Sequence, residues 1–274
     1  MSGAGQLILV VLAGVGTGIL SGMFGVGGAI VSTPAIRSLG ASPLDAVGST
    51  LPSVIPSAIS GTLRYAREGL IRWEVFAWTA TAGVLASVGG ALLTAVIPGD
   101  GHPLMLATAA LIAFTAFRLA RPIPAFEIGT RPLELPRSGR PPTKRVKHRV
   151  TPGRCVMVGL AAGLLSGLLG IGGGLLLVPA FATWLRMPLK SALGTSLACV
   201  GVLAIPGTIT HAFLGNIDWA YAVPLSIGVV PGAQIGAHMA IRATDRTLRL
   251  TVAGVLGVIA VAYFASELLA LVRG

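Results

Sequence analysis

Residues 14–34 and 159–179 spell one glycine pattern twice. Gly14, Gly18, Ser21, Gly22, Gly25, Gly27, Gly28 and Pro34 return 145 positions later as Gly159, Gly163, Ser166, Gly167, Gly170, Gly172, Gly173 and Pro179. With one inserted residue the register continues. Pro43 and Leu44 match Pro188 and Leu189, and Gly48-Ser49-Thr50-Leu51 matches Gly194-Thr195-Ser196-Leu197. Gly61-Thr62 matches Gly207-Thr208, Gly69, Ile71 and Trp73 match Gly215, Ile217 and Trp219, and Gly90 matches Gly236. Self-similarity of this length requires two copies of one folding unit. The copies divide the chain into a first repeat over residues 1–120, a joining segment over 121–151 and a second repeat over 152–274. Each repeat reads as one glycine-broken apolar segment followed by three unbroken ones.

The residues around the glycines are apolar. The chain is 54% hydrophobic and only 11% charged, where a soluble domain carries about 25% charged residues. Runs without a charge cover residues 7–36, 75–97, 103–117, 155–185, 191–217, 219–241 and 250–266. A helix crosses the hydrocarbon with roughly 20 apolar residues, and runs without polar–apolar alternation favour helices over a barrel. The sequence therefore predicts an all-α membrane protein, a polytopic helical bundle. The N-terminal run follows no basic stretch and is too long for a signal peptide, so it reads as part of the fold.

The net charge of +11 is concentrated rather than spread, with ten of the twenty Lys and Arg residues between positions 118 and 154 in a Pro-rich stretch. That pattern reads as a solvated cytoplasmic linker and topology determinant, not as a nucleic-acid surface; the expected partners are the lipid bilayer and a small solute. Cys155 and Cys199 form neither a disulfide framework nor a metal-ligand spacing. The basic residues also orient the repeats. If each broken segment crosses once, fourteen basic residues fall inside and six outside. If each folds back to the side it entered from, eighteen fall inside and only Arg37 and Arg273 outside. The positive-inside rule selects the second arrangement. It makes the halves inverted-topology repeats, each a re-entrant or hairpin segment plus three spans, with both termini extracytoplasmic.

The broken segments carry the chemistry. Thirty residues from 7 to 36 make two arms of at most ~22 Å each at 1.5 Å per residue, with the turns expected near residues 24–28 and 169–174. Irregular backbone at membrane depth is tolerated only where protein or a watery cavity covers it, so the two tips are expected to meet inside. The second arms, starting at Ala29 and Leu175, present free N–H groups and the positive end of a helix dipole. Two such ends facing one cavity suit an oxyanion. The candidate anion-binding residues are Gly25, Gly27, Gly28, Gly170, Gly172, Gly173 and Gly174 at the tips. Ser49, Thr50, Thr195 and Ser196 either add donors or satisfy helix backbone. The Gly-x-x-x-Gly faces at Gly14, Gly18 and Gly22 and at Gly159, Gly163 and Gly167 read as helix-packing surfaces; Ser21 and Ser166 share that register. Pro34 and Pro179 read as ending or kinking the second arms. No Lys-Ser or Lys-Thr follows the glycines, so they are not a nucleotide loop. His211 is a candidate proton or anion relay, or a helix-end histidine at the interface. His238, Arg64, Arg67 and Arg72 read as interfacial residues. No acidic or histidine cluster in the spans points to a metal, a cofactor or cation pumping, and no nucleophile–base pair points to an enzyme.

The doubled L-S-G-x-x-G-[IV]-G-G-[GA]…P motif, with A-[LV]-G-[ST]-[ST]-L and G-T…G-x-I-x-W after it, resembles the TauE/SafE-type sulfite exporter family over nearly the whole chain. The resemblance implies a secondary transporter in a bacterial inner membrane. Its cargo would be a small sulfur-containing oxyanion, such as sulfite, sulfoacetate or another organosulfonate. The lack of a nucleotide-binding element, not the resemblance, points to a proton or other ion gradient as the driving force. A carrier or channel for another small anion is the alternative. The halves differ at one tip position, Ala29 against Gly174.

Overall fold

The computed structural model describes residues 3–38, 43–94, 102–120, 151–169 and 172–273. These residues form ten helices and no strand. The first repeat contributes α1 (Gly3–Phe24), α2 (Ala29–Ser38), α3 (Pro43–Arg67), α4 (Trp73–Thr94) and α5 (His102–Ala120). The second contributes α6 (Pro152–Leu169), α7 (Gly174–Thr183), α8 (Leu189–Phe213), α9 (Trp219–Arg242) and α10 (Asp245–Arg273). The basic linker lies outside the described residues, apart from Thr151.

Among the described residues, four stretches are long and apolar enough to cross a membrane: Leu7–Phe24, Trp73–Leu93, Leu189–Phe213 and Trp219–Arg242. The outward surface matches lipid rather than water. Phe213 is 88% exposed, Leu85 75% and Val258 71%, whereas Ser21, Ser49, Thr50, Ser57, Thr195 and Ser196 are buried. Soluble proteins bury the first class and expose the second. α3 falls outside the apolar set because its inward side is hydroxyl-rich.

The glycine-broken segments divide unequally. α1 has 22 residues and α2 only 10; α6 has 18 and α7 again 10. At 1.5 Å per residue the first arms are about 33 and 27 Å long and the second about 15 Å, so the first arms exceed the expected ceiling of ~22 Å. The breaks fall where the glycines predict them, and α7 begins one residue early, at Gly174. Pro34 and Pro179 do not end the short arms, since both lie inside α2 and α7.

The repeats exchange helices. α1 packs along α9, and α6 along α4. The seams are the small-residue faces. A β-carbon on Gly14, Gly18 or Gly22 would lie 2.7, 2.4 or 2.2 Å from the carbonyl oxygen of Leu225, Val229 or Ala233. One on Gly159, Gly163 or Gly167 would lie 2.4, 2.0 or 2.1 Å from that of Thr79, Gly83 or Ser87. Only glycine permits such backbone approach, so these faces are packing surfaces. The central pair is α3 and α8. Leu51 meets Gly207, Ala58 meets Gly201 and Tyr65 meets Gly194, so the two equivalent helices run antiparallel.

Candidate functional site

The two tips converge on one point. Gly27 has φ +93° and Gly172 has φ +77°. A β-carbon on Gly27 would lie 2.4 Å from Val200 Cγ1 and 3.2 Å from Val54 Cγ1; one on Gly172 would lie 2.8 and 3.6 Å from the same two atoms. Val54 on α3 and Val200 on α8 occupy equivalent positions of the two repeats. The tips also touch each other, for a β-carbon on Gly174 would fall 2.6 Å from Val26 Cα. Gly25, Gly28 and Gly173 hold φ of +68°, +80° and +69°, a region L side chains rarely occupy. All the described tip glycines are buried. Gly170 lies outside the described residues.

Each tip opens directly into a short helix. The N–H groups of Val31 and Ser32 return to the Gly28 carbonyl, and those of Leu176 and Leu177 to the Gly173 carbonyl. The backbone N–H groups before them have no acceptor within the helix. The juncture thus carries two helix N-termini, with the side chains of Val54 and Val200 filling the space at the tips.

The hydroxyls predicted as donors divide into two sets. Ser196 Oγ donates to the Gly25 carbonyl at 2.8 Å, which ties α8 to the first tip. Thr50 Oγ1 lies 3.3 Å from Thr33 Oγ1 on α2 and donates to the Val47 carbonyl. Ser49 and Thr195 sit elsewhere. Ser49 Oγ accepts from the Asp218 N–H at 2.8 Å, and Thr195 Oγ1 accepts from the Arg72 N–H at 3.0 Å. Asp218 and Arg72 are the residues before α9 and α4, so this equivalent pair of bonds holds the start of each exchanged helix onto the other repeat.

His211 also lies away from the tips. Its Nδ1 is 3.4 Å from Asn216 Nδ2, in the last turn of α8. There Gly215, with φ +73°, closes the helix through Gly215 N–H to Ala212 and Asn216 N–H to His211, the Schellman pattern. Gly69 closes α3 in the same way.

Sequence reasoning missed an inequality between the halves. Thr17, Ser32, Thr33, Ser53 and Ser57 are buried in the first repeat; the aligned residues of the second are Ala162, Leu177, Val178, Cys199 and Leu203. Ser57 Oγ donates to Ser21 Oγ at 2.8 Å. With Leu203 at the position equivalent to Ser57, the buried Ser166 hydroxyl has no hydrogen-bond partner. The signal for this difference is in the sequence itself, where hydroxyl residues of one half align with apolar residues of the other.

Residues 10–263 match the sequence model of the family described as Sulfite exporter TauE/SafE. A probable membrane transporter protein of Xylella fastidiosa is 29% identical over 243 residues, covering 86% of each chain. The probable membrane transporter protein YunE of Bacillus subtilis is 24% identical over 261 residues, covering 89% of this chain and 92% of its own. A probable membrane transporter protein of Methanocaldococcus jannaschii is 24% identical over 271 residues, covering 92% and 93%. No solved structure matches. The chain belongs to the TauE/SafE family and is a multi-pass membrane transporter.

Proposed function

We propose that this TauE/SafE-family chain is a secondary transporter of small sulfur-containing oxyanions, sulfite or organosulfonates, with its anion site at the paired glycine tips. The observation that carries this reading is the convergence of Gly27 and Gly172 on the same two side chains, Val54 and Val200. It supports a shared site rather than two independent loops. The free N–H groups opening α2 and α7 supply donors and positive dipole ends for a tetrahedral or pyramidal oxyanion. The unpartnered Ser166 hydroxyl, one turn before the second tip, supplies another. Thr50 and Ser196 hold the tips in place, and Ser49 and Thr195 brace the exchanged helices.

The antiparallel pairing of α3 with α8 supports inverted repeats, each with a broken segment and three further helices. In that arrangement the linker 121–151 is cytoplasmic, the termini are outside, and the membrane is a cell inner membrane. With Val54 and Val200 closing the juncture, an anion reaches it only when one repeat rocks against the other, which is alternating access. An ion gradient, for which protons are the simplest candidate, drives the cycle.

The test is uptake and counterflow of radiolabelled sulfite in proteoliposomes, with methanesulfonate, sulfate and acetate as competitors. Saturable exchange competed by methanesulfonate and not by acetate is the expected result. Flux that never saturates indicates a channel, and exchange competed by acetate indicates a carboxylate carrier; either outcome refutes the reading. A reporter fused at Gly274 that reads cytoplasmic refutes the inverted arrangement.

A further inference from the structure

Away from the tips, α3 and α9 flank a half-open cavity of about 350 Å³ lined by Ser60, Arg64, Arg67, Gln234 and His238 together with the exposed apolar residues Leu63, Ile235 and Met239. Arg64 lies ten residues beyond Val54 on α3, so the cavity is about 15 Å along the helix from the tips at 1.5 Å per residue. That is half the roughly 30 Å hydrocarbon thickness. In the orientation proposed above it opens at the cytoplasmic face.

The guanidinium is positioned rather than free. Arg64 Nη2 donates to His238 Nδ1 at 2.9 Å and pairs with Glu68 Oε1 at 3.4 Å. Both contacts fall on Nη2, and Nε is buried without a hydrogen-bond partner. A buried donor left unpaired is costly; with Nη2 engaged, Nη1 and Nε carry the donors that remain for an oxyanion, and hydrogen bonds from a charged donor are the strong ones. Because a guanidinium only donates, Nδ1 of His238 accepts and its ring proton sits on Nε2, a further donor. Arg67 adds a second positive charge, and Arg242 lies one turn beyond His238 on α9.

The fold does not require this polarity. In the equivalent pair, α8 packed on α4, the aligned residues are Pro206, Thr210, Phe213, Val88 and Leu92, and Phe213, Val88 and Leu92 are exposed. One crossing presents an apolar surface; its counterpart holds Arg64, Arg67, Gln234 and His238 around a cavity.

We propose that the α3–α9 cavity is a second oxyanion site, a docking vestibule in which Arg64, set by His238, binds a small sulfonate or sulfite before it reaches the tips. The class of anion rests on the transport reading; the arrangement of cation and donors does not.

Equilibrium dialysis of radiolabelled methanesulfonate against the detergent-solubilised full chain tests this. Arg64→Lys keeps the charge that orients the helix but loses the planar fork. It is expected to weaken one class of sites about ten-fold, the equivalent of one charge-assisted hydrogen bond, and to raise the transport KM. Gly27→Val, at the tips, is expected to leave that class intact. His238→Leu, which retains Arg64, is expected to weaken the same class several-fold and serves if Arg64→Lys fails to fold. Wild-type affinity and stoichiometry in both Arg64→Lys and His238→Leu overturn the vestibule while the tip site stands. Loss of all binding in Arg64→Lys with full binding in Gly27→Val keeps the vestibule and refutes the tip site. A wild-type chain that binds neither methanesulfonate nor sulfite overturns both.

Discussion

A substitution at Gly27 separates backbone strain from steric closure of the tips. Two costs apply to Gly27→Ala. Its φ of +93° lies where an L side chain clashes with its own backbone, a penalty of about 1–2 kcal/mol. The new methyl would also sit 2.4 Å from Val200 Cγ1, and overpacking of this kind costs about 1–3 kcal/mol. The expected loss is therefore about 2–5 kcal/mol. Gly69 calibrates the first cost, because its φ is +65° with nothing within 4 Å of an added β-carbon; Gly69→Ala should lose only about 1–2 kcal/mol. Val200→Ala alone should cost about 2 kcal/mol in lost burial and cavity. In the double variant the methyl occupies the space that Val200 Cγ1 vacates. The Gly27 and Val200 costs should then fall short of additive by about 1–3 kcal/mol, while the strain remains. The assay is reversible unfolding in mixed micelles, read beside sulfite counterflow in proteoliposomes. Counterflow should collapse in Gly27→Ala and return in part when Val200→Ala is added. Additivity within about 0.5 kcal/mol, or Gly27→Ala no worse than Gly69→Ala, would refute the claim that Val200 seals the tip.

Further outcomes follow from the same contacts. Gly163→Ala, whose β-carbon would meet the Gly83 carbonyl at 2.0 Å, should lower the thermal midpoint sharply, whereas Gly16→Ala, with nothing within 4 Å, should leave it level or raise it; heating followed by size-exclusion recovery checks both. Ser49→Ala and Thr195→Val should each cost about 1 kcal/mol of stability with little change in transport KM, since each bond braces a helix start; a ten-fold rise in KM would return them to the anion site. Ser166→Ala should not lower the thermal midpoint, because that hydroxyl has no partner to lose, yet should raise KM; an unchanged KM would remove Ser166 from the site. His211→Ala should leave the pH profile of flux in place, because the imidazole is engaged with Asn216 at the end of α8; a displaced profile would restore it as a relay.

The glycine pattern is enough to locate both breaks and the packing faces, because each depends on local backbone freedom or on a missing side chain. It also makes the arms unequal, since a turn at residues 24–28 leaves most of the run 7–36 on its N-terminal side. It does not reveal the partner of each first arm: α1 lies along α9 and α6 along α4, seams that join residues far apart in sequence. The same limit explains the hydroxyls. Ser49 and Thr50 are neighbours in sequence and read alike as donors, but successive helical residues face different ways, so one meets α9's start and the other meets α2.

The sequence alone determined that this chain is a helical membrane protein whose doubled glycine pattern interrupts two apolar segments, because charge depletion, apolar run length and consecutive glycines admit few other solutions. Only the tertiary structure decided that each repeat's first helix lies on the other's exchanged helix, that Val54 and Val200 close the juncture, and that Arg64 meets His238 across 174 residues. Those facts come from interdigitated packing between the two halves, and no local pattern encodes which side chain will fill a space that both halves create.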